Sequence, residues 1–331
     1  MKNWFGLDIG SNQVKVLQAE KVSQGFRVAR MAAVPLKADG LTEAIKTAIK
    51  EAKIKASSEV NVALAESEVF TRIIEAPKLS EMELASSIRY EAEQYIPIAL
   101  SEVELFHQIL PIDEIKSDKS MKVLLIAVPK TRIQQLMQIF DQADLIPGGL
   151  ETELFSLKRI LGDEKKVQIL TSFGYKTTDL MVLNHNIPSF TYSANVGGMA
   201  LTKSLVNELS LSFEQAEEYK KTYGLREDLL EGKVAKILQP FIEEIIEQIK
   251  KAMIYLQQQG YNKPPNELIL AGGGAMLAGL SGFLAAKLNI EVVIADPFKN
   301  FLHDEDFKKK FPYENSSQWA TVTGLALKGW L

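Results

Sequence analysis

The chain has 331 residues, 46% apolar and 24% charged, which describes a globular protein too long for one small core and points to two or more domains. Thirty-eight Lys and Arg against 42 Asp and Glu leave 38 − 42 = −4, so no bulk positive field draws nucleic acid or anionic lipid. Cysteine is absent, which excludes disulfides, thiolate metal sites and a cysteine nucleophile, and the three histidines, His107, His185 and His303, lack the spacing of a metal-binding pair.

The first eight residues bring a glycine and an acid before any apolar run of signal-peptide length, about 7 to 15 residues, so a cytoplasmic location is expected. A strand is expected over 3–9, a turn at 10–13, a second strand over 14–20 and a third over 26–34. Leu41, Ile45, Ala48, Ile49 and Ala52 mark one helix face, and 61–65 reads as a buried strand. A strand over 69–74 leads past Pro77 to the capping box Ser80-x-x-Glu83, which opens a helix bearing Leu84, Ile88 and Ala92. Strands near 103–110 and 123–128 flank a polar loop at 113–120, and 132–143 is a further helix. This block, 67–147, reads as an inserted α+β unit.

A helix over 153–161 ends at Gly162, and then the opening theme returns: strands over 167–173, 179–183 and 188–196, with a glycine turn at Gly174 after the first. Gly10 and Gly174 lie 174 − 10 = 164 residues apart, almost half the chain, which suggests two similar halves. Gly197-Gly198 precedes a helix, and a second capping pattern, Ser212-x-x-Gln215, opens another that stops at Gly224. Pro240 is expected to begin a longer helix whose buried stripe is Phe241, Ile245, Ile246, Ile249, Met253 and Leu256. Residues 268–286 carry no charge over 19 positions, near the ~20 that cross a bilayer, but their glycines suit a buried strand turning into a helix.

Three glycine turns end strands: Asp8-Ile-Gly10-Ser11-Asn12-Gln13, Phe173-Gly174-Tyr-Lys-Thr, and Gly272-Gly273-Gly274. Such turns bring backbone N–H groups close to an anion, phosphate above all, although a plain tight hairpin has the same signature. No Gly-Lys-Ser/Thr is present, so none is a Walker P-loop. Asp8, just before its turn, is placed to hold a water of Mg²⁺, and Lys15 on the returning strand to add positive charge.

The string Asp8-Ile-Gly-Ser-Asn-Gln-Val-Lys15 resembles the first phosphate hairpin of the actin-like ATPase superfamily. Gly197-Gly198, Glu217-x-x-Lys220 and Leu270-Ala-Gly-Gly-Gly274 resemble its second-half nucleotide contacts. Within that superfamily, Arg89-Tyr-Glu-Ala-Glu-Gln-Tyr-Ile-Pro97, Ser212-Phe-Glu-Gln-Ala-Glu-Glu-Tyr-Lys220 and Asp296-Pro-Phe are similar to the PilM family of the type IV pilus inner-membrane platform. The resemblance implies an α/β fold of two related halves around a nucleotide cleft: 1–66 with 148–164 as the first core, 67–147 inserted for partner binding, and 165–331 as the second half, with a smaller subdomain at about 206–265. It implies ATP with Mg²⁺ as cofactors, Asp8 serving the metal through water, and Gly10, Ser11, Asn12, Gln13 and Lys15 cradling phosphates. Gly174, Gly197 and Gly198 would approach from the other half, Glu217 and Lys220 would bracket ribose and adenine, and Gly272, Gly273 and Gly274 would lie under the adenosine. Glu153 stands where relatives place a water-orienting glutamate.

The superfamily's second hairpin carries an aspartate two residues before its glycine, where this chain has Ser172. Losing that carboxylate implies slow or absent hydrolysis, at most a weak ATPase. The family further implies a groove between insertion and first core that receives the cytoplasmic N-terminal peptide of PilN, with Phe70, Ile73 and Ile74 either lining it or in the core. That partner would attach the protein to the inner membrane, and a homo-oligomer or ring stays open. Other readings are a type II secretion component of the GspL kind, an FtsA-like filament protein, and a small-molecule kinase of the superfamily.

Overall fold

The structure, a computed structural model, describes residues 4–331 apart from 38–39, 56–57, 112–119, 259, 261–263, 304, 306, 308–310 and 312. The polar loop expected at 113–120 lies outside the described residues save for its last. Strand β1 (Trp4–Ile9) turns back into β2 (Gln13–Val22) and then β3 (Gly25–Pro35), helix α1 (Leu41–Ala52) follows, and β4 (Glu59–Leu64) returns parallel to β1. The inserted portion is β5 (Phe70–Pro77), α2 (Glu81–Ala92), β6 (Val103–Ile109) and β7 (Ser120–Pro129). Helix α3 (Lys130–Gln142), β8 (Ile146–Thr152) and α4 (Glu153–Leu161) complete the first half.

The second half repeats the plan. Strands β9 (Val167–Phe173), β10 (Thr178–Asn184) and β11 (Ile187–Ala194) form an antiparallel meander. Helices α5 (Gly198–Leu209), α6 (Phe213–Tyr223) and α7 (Lys233–Gln258) lead to β12 (Glu267–Ala271), then α8 (Leu280–Leu288), β13 (Glu291–Ile294) and α9 (Ala320–Ala326). The two large sheets have one topology, β3-β2-β1-β4-β8 and β11-β10-β9-β12-β13, each a meander followed by two parallel strands. The 164-residue glycine spacing therefore reflects a repeated unit. It also shows that α3 corresponds to α8, so the insertion proper interrupts the chain between β4 and α3.

Helix α3 was expected inside the inserted block, yet it packs on the first sheet. Phe140 and Ile139 join Ala44, Ile45 and Ala48 of α1 over Phe5, Leu7 and Val60, and Leu136 meets Leu64 and Val69. The inserted sheet, ordered β5-β7-β6, has its own core of Ile74, Val123, Leu125 and Ala127 under Leu84, Ile88 and Ala92 of α2. In the second half, α5 to α8 share one core with the sheet, so the helices of 206–265 do not form a body with a core apart from it. Pro240 lies within α7 and does not begin it. A proline inside a helix costs about 3 kcal/mol, and burial of Val234 and Leu238 on the same stripe as Ile242, Ile245 and Ile249 offsets that cost. The uncharged run 268–286 is β12, a short turn and the first part of α8, and among the described residues no helix is long and apolar enough to cross a membrane.

Helices α4 and α9 lie between the two sheets. Leu154, Leu157, Val322 and Ala326 pack against Leu17 and Ala19 of the first sheet and Leu170, Met181 and Ile269 of the second. The helices touch where Gly324 meets Ser156, whose hydroxyl donates to Thr321 O at 2.5 Å. A Cβ on Gly324 would overlap the carbonyl and hydroxyl oxygens of Ser156. Gly324→Ala should therefore push the helices apart and cost about 3 kcal/mol or more, as overpacking of a close contact does; an unchanged denaturant midpoint would contradict this account.

Candidate functional site

In the first hairpin the register places Asp8 directly opposite Lys15. Their charged ends pair at 3.0 Å and both side chains are buried, so the carboxylate does not stand alone in a low-dielectric site. The turn from Gly10 to Gln13 exposes Ser11 and Asn12, and the Gln13 amide donates to Gln318 Oε1 at 3.0 Å. In the second hairpin the same register puts Ser172 opposite Asp179, and 179 − 172 = 15 − 8 = 7. The carboxylate missing from β9 is thus present across the ladder on β10, with the acidic position moved to the partner strand. Asp179 is 1% exposed and accepts from the hydroxyls of Thr177 and Ser193. Burial pushes its carboxyl up to about 6.

The third turn follows β12. Gly272 has φ 85, its N–H donates to Ser317 O at 3.1 Å, and a Cβ there would overlap the Phe173 backbone. Around Gly273 there is nothing within 4 Å of a Cβ position, so this backbone faces open space. On α6, Ser212 forms the full capping box with Gln215, and Lys220 donates to Gly198 O at 3.1 Å, to Thr202 Oγ1 at 2.8 Å and to Glu217. Burial pushes the Glu217 carboxyl up, but Lys220 and the Thr202 hydroxyl outweigh it and hold the group below its ordinary value.

These elements enclose one cavity of about 860 Å³, within the 300–1,000 Å³ common for small-molecule sites. Asp8, Gly10, Ser11, Asn12, Gln13, Lys15, Glu153, Ser172, Gly174, Gly198, Glu217, Lys220 and Gly272 to Gly274 all line it. Gly197 does not: it sits behind the backbone of Tyr175 and Lys176. The N–H groups of Gly198 and Met199 donate to Gly174 O and Tyr175 O, so the start of α5 is spent on binding the second hairpin. Ser172 and Thr177 line the cavity, whereas Asp179 does not and holds the Thr177 hydroxyl.

Sequence reasoning overlooked Glu66, which no motif flags. It is 7% exposed, and its Oε1 accepts from Leu154 N–H at 3.2 Å in the first turn of α4. Burial pushes its carboxyl up to about 7. Glu153, the first residue of α4, is driven well above the usual carboxylate range by burial and then by Asp8, Asp179 and Glu66, with Lys15 opposing. Asp179 could have been found from sequence, because it repeats the seven-residue spacing of Asp8 and Lys15.

Two sheets of one topology, each offering a glycine hairpin to a shared cavity, make this an actin-like ATPase fold. MreB 5 of Spiroplasma citri bound to AMPPNP has that fold too, with a TM-score of 0.54, 13% identity and coverage of 100% of this chain and 96% of that one. The chain belongs to the PilM family: the model for "Type IV pilus assembly protein PilM" matches residues 6–330, so this is a protein of type IV pilus assembly. A PilM-PilN type IV pilus biogenesis complex has a chain similar in structure, with a TM-score of 0.83, 23% identity and coverage of 99% and 98%. Cell division protein FtsA of Enterococcus hirae is 24% identical over 89% of this chain and 78% of its own length.

Glu66 generates a pH prediction. Its carboxyl rises from 4.5 to about 7 on folding, so the fold favours the protonated form. Stability should fall as pH rises between those values and change no further above about 7, by at most about 3 kcal/mol. Glu66→Gln, neutral throughout, should melt higher than wild type at pH 8 and closer to it at pH 5; parallel melting curves across pH would refute the assignment.

Proposed function

We propose that the protein is a nucleotide-binding adapter of type IV pilus assembly. It holds ATP with Mg²⁺ in the cleft and the cytoplasmic N-terminal peptide of a PilN-type membrane protein on the inserted sheet. The reading rests chiefly on the two matching hairpins that face one cavity. The residues suit the cofactor: Gly10 to Gln13 and Gly174 would lie along the phosphates, Lys15 would supply positive charge, Glu217 and Lys220 would flank the ribose and base, and the open backbone of Gly273 would lie under the adenosine. Among the described residues no three ligating side chains gather to hold a metal unaided. Mg²⁺ would therefore be held by the phosphates and by Asp8 through water, as this ion's reluctance to dehydrate favours.

Hydrolysis is proposed to be slow or absent. At the second hairpin the cavity wall has Ser172 in place of a carboxylate, and Asp179, opposite it on the ladder, is committed to the hydroxyls of Ser193 and Thr177. Glu153 can orient water only when ionised, a form that its surroundings disfavour. A steady-state rate above about 1 per second would sink this part of the reading. Asp8→Ala should weaken MgATP binding about tenfold or more in calorimetry; equal affinity in both proteins would remove Asp8 from the site.

For the partner, Phe70 and Ile74 pack into the core under α2, whereas Ile73 lies on the opposite face of the inserted sheet with Ile126 and the exposed Phe106. That face and its open edge strand β6 suit an extended peptide, with backbone pairing for affinity and a few apolar anchors. An adapter of this kind would sit in the cytoplasm and reach the inner membrane through that partner. A titration of the PilN-type peptide with and without MgATP tests the adapter role, and an absence of binding in both would overturn it. Phe106, 52% exposed on β6, should lower peptide affinity more than nucleotide affinity when changed to Asp; equal loss of both would signal unfolding.

A further inference from the structure

Five residues, 65–69, carry the chain from the end of β4 into β5, and their middle is a 3-10 turn, Glu66–Glu68. Ala65, Ser67 and Glu68 line the cavity, so the turn has the cleft on one side and the inserted sheet on the other. Glu66 is buried on the far side. One carboxylate oxygen accepts from Leu154 N–H of α4, next to Glu153, and the other accepts from the Thr71 hydroxyl of β5. Glu68 accepts from Arg132 Nε at 2.9 Å, where the chain has just returned from the inserted sheet into α3. Strand β11, the edge of the second sheet, packs against both β5 and this turn. First core, second half, inserted sheet and cleft thus meet at three residues.

The bonds at this junction are long. The Leu154 contact is 3.2 Å and the Thr71 contact 3.4 Å, both longer than the usual ~2.9 Å for N–H donors and ~2.8 Å for hydroxyl donors. Thr152, which precedes Glu153, is 1% exposed, and its hydroxyl lies beside the Glu66 carboxyl, where it joins Leu154 N–H and Thr71 in opposing the effect of burial. Long bonds at a buried carboxylate leave room for a small displacement to strengthen or break them.

We propose that Glu66 is the positioning residue through which the contents of the cleft set the placement of the inserted sheet, one carboxylate holding both the first turn of α4 and the start of β5. The inference rests on the nucleotide reading above. A ligand that brings phosphates and a cation up to Glu153 changes the charge at the head of α4. Movement of that turn then reaches β5 through Glu66 and the short 65–69 link. By linkage, a partner seated on the inserted sheet alters nucleotide affinity by the same factor.

Hydrogen exchange of the full chain with and without MgATP, alongside calorimetry of MgATP binding, tests the proposal. In wild type, MgATP should slow amide exchange in β5 and β7 by about fivefold or more. Glu66→Ala and Thr71→Val should bind MgATP within about threefold of wild type yet lose that slowing, while Glu66→Gln and Thr71→Ser, which keep a bonding partner at each end, should retain it. If Glu66→Ala does not fold, Thr71→Val carries the test, since it leaves the carboxylate and the strand pairing in place. Undiminished slowing in Thr71→Val, or MgATP binding in wild type without any slowing, overturns the proposal and leaves the cleft reading intact. No MgATP binding in wild type overturns the cleft reading and this inference with it.

Discussion

The close crossing of α4 and α9 between the two sheets is the contact on which the rest of the molecule depends. Because Gly324 lets the helices meet backbone to side chain at Ser156, both sheets can press onto one shared layer of Leu154, Leu157, Val322 and Ala326. Gly6 of β1 makes a second such approach, with α9 backbone where a side chain would stand. The layer joins the halves below and leaves the strand ends above it apart. A cleft at those ends is the geometric result, and the hairpin turns that flank it are where short backbone segments can reach an anion.

Charge at and behind the cleft wall follows from the same arrangement. Asp8, Glu66, Glu153 and Asp179 converge from four different elements, with Lys15 the nearby cation that opposes Glu153's acid neighbours. Burial raises the carboxyls of Glu66, Glu153 and Asp179, and at Glu153 the neighbouring acids add to it. A Mg²⁺-bearing ligand would reverse that balance.

Local rules were reliable where the determinant was local. Both capping boxes, Ser80 with Glu83 and Ser212 with Gln215, form as expected because each needs only residues three apart. The two hairpins were legible for the same reason. Strand β8 was missed: Ile146-Pro-Gly-Gly lacks an apolar alternation, and only pairing with β4 makes it a strand. Helix α3 was placed with the wrong neighbours because an amphipathic stripe says that a face is buried and not against what. Pro240 was read as a start because the tertiary burial of Val234 and Leu238, which carries the helix through it, is not a sequence signal.

By itself the sequence determined the repeated unit, its 164-residue period and the glycine turns, since all are set by spacing along the chain; the pairing of Lys15 with Asp8 came from the structure. Only the tertiary structure decided that Asp179 stands behind the cavity wall, that Gly197 faces the hairpin and not the cleft, and that Glu66 bonds both α4 and β5. Those outcomes depend on which distant segments share a low-dielectric space, and no spacing in the chain encodes that.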